Sequence, residues 1–139
     1  MLYTVNEATF DLPAELHDQS VNVFTATPSG ASPFNIVITR AMIEDAGLTL
    51  AEHVTREVAL QQQTLAGFVH EWRRDHVVDG RPAEITAARI GGREVMEQRQ
   101  VYTLAGDRSL TITASARDGF DPDQLETLRQ FIDSFRFRS

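Results

Sequence analysis

The chain contains no cysteine and no lysine. Without cysteine it has no disulfide, no thiolate metal site and no cysteine nucleophile. Its formal net charge is −7, carried against arginine alone. Such a chain lacks the cationic surface that neutralises phosphates on nucleic acid or on anionic lipid, so neither nucleic-acid binding nor direct membrane insertion is expected. Long apolar runs are missing as well, and none approaches the ~18 residues of a membrane span. The opening MLYTVNEATF has no basic leader ahead of an apolar stretch, which predicts no signal peptide and a cytoplasmic location. No repeat or low-complexity tract interrupts the 139 residues, a length that fits one domain over 1–139. A chain of that size buries roughly 68–70% of its unfolded surface, enough for one core.

What is present is mostly strand. Alternating residues mark strands at 8–12, 21–26 and 34–40, the first two ending at Pro13 and at Pro28-Ser29-Gly30. His17-Asp18 falls in the link between them. In the third, Phe34, Ile36 and Ile38 should face the core and Asn35, Val37 and Thr39 the other side. A helix follows, with Thr49 and Glu52 as a capping box and Leu50, Val54, Val58 and Leu65 as its apolar stripe up to Gly67. Glu57, Gln61 and Leu65 form a neighbouring stripe at the margin of that face. Strands are then expected around 68–78, after the turn Asp79-Gly80 from 83 to 90, and after a tight Gly91-Gly92 hairpin through the next two runs. The last helix opens at Asp121-Pro122 with Gln124 in its first turn, and Leu125, Leu128, Ile132 and Phe135 are its core stripe. Three strands, a helix, four strands and a helix with short links predict an α+β fold. It is a single curved antiparallel sheet of about six to seven strands flanked by two helices. One sheet face packs on the helices; the other is covered by more chain or by a partner.

The most informative run is GREVMEQRQVYTL, followed by AGDR and SLTITAS. One face of the first strand carries Met96, Gln98, Gln100 and Tyr102, and the other Val95, Glu97, Arg99 and Val101. A sealed strand is nearly all apolar and a half-buried one alternates cleanly. This strand does neither. Glutamines among apolar side chains point to a surface that satisfies polar groups while accepting hydrophobic contact, as in a binding module.

The residue types of catalysis do not assemble into a recognisable pattern. His70 and His76 lie six apart on one strand, which places them on one face, but no third ligand is marked. His53 and Glu57 read as a helical surface pair. No serine sits in a Gly-x-Ser-x-Gly turn, and Gly91-Gly92 lacks the strand–loop–helix context of a phosphate cradle. Asp75, Asp79, Asp118, Asp121 and Asp123 sit at turns and caps without calcium-loop spacing. Gln61-Gln62-Gln63 reads as a solvated helix face, and Trp72 as core packing or an interface aromatic. No enzyme activity, metal or cofactor is expected.

Several segments carry a family resemblance: Ala8–Pro13, Ser20–Phe24, Ile36–Arg40, Gly80–Ala83, Gln98–Tyr102, Leu110–Ala114 and Ser134–Arg138. In that order and spacing the chain resembles the DcrB-like group of PsbP-like α/β folds, and within it the Eag-type chaperones of bacterial type VI secretion. The resemblance implies a small cytoplasmic homodimer without catalytic activity. Such a chaperone shields the hydrophobic N-terminal transmembrane helices of a PAAR- or Rhs-type effector and promotes its loading onto the secretion spike. Carried over by position, the client-binding residues are Val21, Val23, Asn35, Thr39, Gln61, Leu65, Ile85, Met96 and Gln100. Glu57 departs from the family pattern, which often has glutamine there, and a carboxylate cannot donate the same hydrogen bond. Two other readings stay open: a binding module of the same fold unrelated to secretion, and a carrier or enzyme holding a small ligand between sheet and helices.

Overall fold

Side chains alternate in size along the strands, and that alternation decides which helix lies on which face of the sheet. The computed structural model describes residues 2–4, 7–16, 20–26, 33–43 and 45–138, with residues 3 and 4 through their backbone alone. In chain order the elements are β1 (Leu2–Thr4), β2 (Thr9–Asp11), β3 (Asn22–Thr25), β4 (Phe34–Met42), α1 (Leu50–Thr64), β5 (Phe68–Val78), β6 (Arg81–Ile90), β7 (Met96–Ala105), β8 (Arg108–Arg117) and α2 (Pro122–Ser134). Strands β3 to β8 form one antiparallel sheet in the order β3-β4-β8-β7-β6-β5. With its two helices this is the expected α+β arrangement. The strand at β1 was not expected: three residues are too short to show alternation, and it pairs only with β2 in a separate ribbon. The expected link at His17-Asp18 and turn at Pro28-Ser29-Gly30 lie outside the described residues.

One face of the sheet carries the apolar core. Phe34, Ile36 and Ile38 are buried on β4, and across the β4–β8 ladder Ile36 pairs with Ala114 and Ile38 with Ile112. Leu128 and Ile132 of α2 close this core, which also takes in Val78, Val101 and Leu110. The start of α2 is held by a reciprocal cap. The Asp121 carboxylate accepts from Gln124 N–H at 2.8 Å, and Gln124 Oε1 accepts from Asp121 N–H at 2.9 Å. A cap of this kind is worth about 1 kcal/mol. Beyond α2 the chain is tied back to the two-residue turn Asp79-Gly80, where Phe137 N–H donates to Asp79 Oδ2 at 2.8 Å. Both turn residues have positive φ, 48° and 75°, as such a hairpin demands.

The other face is covered over half its width. Helix α1 lies on β5, β6 and β7, with Val54 fully buried beneath it. Thr49 and Glu52 form the expected capping box. Arg73 pins the helix to the sheet: its Nε is 2.5 Å from Glu84 Oε1, Nη1 donates to Thr55 Oγ1 at 2.8 Å, and Nη2 to the Ala51 carbonyl at 2.8 Å. Glu84 is buried, so this ion pair with its extra hydrogen bonds substitutes for lost hydration.

Three local expectations fail. A β-bulge between His70 and Trp72 shifts the β5–β6 register, so that His70 pairs with Ala88 and His76 with Ala83, on opposite faces. His53 is not a surface partner of Glu57; it is buried, with its ring edge-on to Tyr102 at 6.0 Å between centroids. Gly91-Gly92 is not a tight hairpin, because β6 stops at Ile90, β7 resumes at Met96, and neither glycine has positive φ. Gly91 meets the end of α1 instead. Its N–H donates to the Gly67 carbonyl at 2.9 Å, and a Cβ on Gly67, itself at φ 75°, would lie 2.5 Å from the Gly91 oxygen.

Candidate functional site

Past β7 the α1 side of the sheet carries small side chains in register. Val23 pairs with Val37, Val37 with Thr113, and Thr113 with Gln100. One row along, Thr25, Asn35, Ser115 and Gln98 line up, and on the other side Thr39, Thr111 and Tyr102. Among the described residues the central rows of this floor hold no charged side chain; Arg117, the register partner of Met96, stands at one end. The parity that buries Ile112 and Ala114 on one face turns Thr111, Thr113 and Ser115 to this one. Strands spaced about 4.8 Å apart make the floor roughly 14 Å wide where the four residues of β3 extend it and roughly 10 Å wide elsewhere, and a ten-residue strand is roughly 33 Å long.

A chain of hydrogen bonds joins α1 to this floor. Gln61 Nε2 donates to Tyr102 Oη at 2.9 Å, Tyr102 Oη donates to Gln100 Oε1 at 2.7 Å, and Gln100 Nε2 donates to Thr113 Oγ1 at 3.2 Å. Burial pushes the Tyr102 phenol up to about 12; the hydrogen bond from Gln61 opposes that shift and the Glu57 charge adds to it. The phenol is therefore a neutral relay between two amides. The side-chain oxygens of Asn35, Gln61 and Gln98 are buried without a hydrogen-bond partner. An unmatched buried acceptor costs about 1–3 kcal/mol, so these amides favour an incoming donor. An amide turned end for end offers a donor or an acceptor at the same place.

The floor has an apolar rim. Val21 and Val23 are 55% and 58% exposed along the β3 edge, Met96 is 38% exposed at the start of β7, and Leu65 is 40% exposed at the end of α1. The structure thus brings together Val23, Asn35, Thr39, Met96 and Gln100 on one open face, beside Val21 at its edge and Gln61 and Leu65 on its helical wall. Ile85 is a correction. It pairs with Val101 and packs against the α2-side core, so it lies on the opposite face. Strand β6 is buried on both sides, and its composition shows no alternation to reveal which way position 85 points. Val37, Tyr102, Thr111, Thr113 and Ser115 are floor residues that the family comparison by position missed. The period-two pattern of LTITAS, once paired to 34–40, identifies the last three.

Among the described residues no group of three His, Cys, Asp or Glu could hold a metal ion, and no helix is long and apolar enough to cross a membrane. The family model described as DcrB matches residues 7–134. The chain belongs to the DcrB family. A crystal structure of PA94 from Pseudomonas aeruginosa, described as of unknown function and conjectured to be a regulator, matches this DcrB-family chain with a TM-score of 0.81 at 23% identity, covering 100% of this chain and 97% of that one. At that identity the likeness speaks for the DcrB fold alone. The solution structure of the cyanobacterial PsbP protein CyanoP, from Synechocystis sp. PCC 6803, matches at 14% identity over 88% of this chain and 92% of that one, with a TM-score of 0.48 that carries no argument. No curated protein matches significantly.

Proposed function

We propose that this chain is a cytoplasmic, non-catalytic adaptor chaperone of the Eag type. It acts as a homodimer that shelters the N-terminal transmembrane helices of a PAAR- or Rhs-type effector and promotes loading of that effector onto the type VI secretion spike. The observation that carries the reading is the half-face between β3 and α1, which no described helix covers and whose central rows are uncharged. Its floor, roughly 33 Å long and roughly 10–14 Å wide, matches a transmembrane helix of about 20 residues, ~30 Å long and ~10–12 Å across. Burying several hundred Å² of apolar client surface at ~25 cal/mol per Å² gives a gross gain on the order of 10 kcal/mol, from which association and ordering are subtracted. The remainder suits a complex that must release its client. Thr39, Thr113 and Gln100 bond to small polar residues and exposed carbonyls of membrane helices, and they keep the empty face soluble. Two copies hold two helices of one client at raised effective concentration.

Co-expression with a fragment carrying paired effector transmembrane helices tests this. The wild type should keep the fragment soluble and co-purify with it as a dimer, measured by light scattering after gel filtration. Val37→Glu and Met96→Glu should each abolish co-purification while leaving the thermal transition of the chaperone in place. Undiminished capture by both variants would remove this face as the site.

A further inference from the structure

The opposite face of the sheet holds a cavity of about 360 Å³ between α2 and strands β5–β7. That volume falls within the ~300–1,000 Å³ of ligand pockets. Its lining includes an aliphatic patch, Ile85 and Val101 from the sheet and Leu125, Leu128 and Ile132 from α2. Exposed Arg74 and Arg129 line it together with the less exposed Arg99 and His76, although the chain as a whole carries −7. Two of these guanidiniums are engaged. Arg99 Nη2 lies 3.3 Å from Glu97 Oε1. Arg129 bonds to Glu126 and donates to Asp133 Oδ2 at 2.7 Å, which also engages the carboxylate in the lining. Arg74 makes no ion pair among the described residues. Its guanidinium is laid over the Trp72 ring, 3.9 Å from the centroid, while Arg99 lies 5.1 Å from the same ring. A guanidinium held on an indole keeps its outward N–H groups free for a planar anion and loses little freedom on binding one.

We propose that this cavity is a binding site for a medium-chain aliphatic carboxylate, its chain among Ile85, Val101 and Leu128 and its head on Arg74. The aliphatic class follows from Trp72, whose ring is already occupied by arginine and offers no stacking platform. The carboxylate class follows from Arg74, which among the three arginines lining the cavity has no ion pair with a described residue. The site is separate from the client face, so neither reading depends on the other.

Trp72 is the only tryptophan of the chain, so its emission reports directly on this cavity. Octanoate titrated into the purified full chain should give a saturable change in that emission and a matching calorimetric isotherm, and octanol should bind at least tenfold more weakly. Arg74→Gln should weaken octanoate binding at least tenfold, and Leu125→Glu, at a position 39% exposed, should abolish it without loss of fold by circular dichroism. The carboxyl terminus of an apolar peptide offers the same chemistry. Weaker binding of acetyl-Ala-Leu-Leu than of octanoate assigns the free acid, and the reverse order overturns that assignment. Absence of saturation at millimolar octanoate, equal affinity for octanol, or unchanged affinity in Arg74→Gln would each overturn the proposal.

Discussion

Ile112 and Thr113 are chain neighbours on β8 and live in different worlds. Ile112 is 1% exposed in a core sealed by α2. Thr113 is half-buried on a floor without a helix above it, holding the amide of Gln100. The same contrast runs across β4, where Ile36 and Ile38 oppose Asn35, Val37 and Thr39. One face is built for permanent burial, which requires bulky apolar residues. The other mixes hydrogen-bonded and unmatched polar groups with shallow apolar patches, a composition that tolerates both water and a transient partner.

The largest effects should separate the two faces by stability. Arg73→Ala leaves Glu84 buried without its cation and should cost about 3–5 kcal/mol in urea denaturation. Ile112→Ala should cost about 2–5 kcal/mol by transfer and cavity effects. Thr113→Val, one residue along, should stay within about 1 kcal/mol of wild type in the same assay, while co-purification of transmembrane helices changes. If Thr113→Val unfolded the protein as Ile112→Ala does, the contrast between the faces would be lost.

Tyr102 gives a pH-dependent test at the junction of the open floor and α1. Its phenol is raised from 10.0 to about 12, so the native state favours the neutral form. The stabilisation is complete below the unfolded value and is lost as pH rises through the folded one. Unfolding free energy should therefore fall between about pH 10 and 12 by on the order of 2–3 kcal/mol. Tyr102→Phe should remove that slope. At neutral pH it should also cost about 1–3 kcal/mol, because Gln61 Nε2 and Gln100 Oε1 lose their partner. An unchanged alkaline slope in Tyr102→Phe would assign the titration elsewhere. The smallest stability change is expected for Met96→Glu at the exposed rim, within about 0.5 kcal/mol.

Much of this was legible in residue order. Thr49 with Glu52 and Asp121 with Gln124 announce both helix starts, because capping chemistry is local. The alternation in 34–40 and the facing of Met96, Gln98, Gln100 and Tyr102 also follow from period-two geometry. Ile85 was misplaced because β6 is buried on both sides and its parity emerges only from pairing with Val101. The bulge that separates His70 from His76 inserts one residue into the register and inverts every facing beyond it. His53 reads as solvent-facing until Tyr102 is laid beneath it.

Composition and order alone determined the absence of cysteine and lysine chemistry, the helix starts and the two-faced strands, since each depends on residue type or on neighbours within a few positions. Tertiary structure decided that α1 rests on β5, β6 and β7, that Gln61 reaches Tyr102 across 41 positions, and that Arg74 and Arg129 line one cavity. Those features depend on which strands pair and where each helix comes to rest, and such long-range choices are made by the packing of the whole sheet rather than by any local run of side chains.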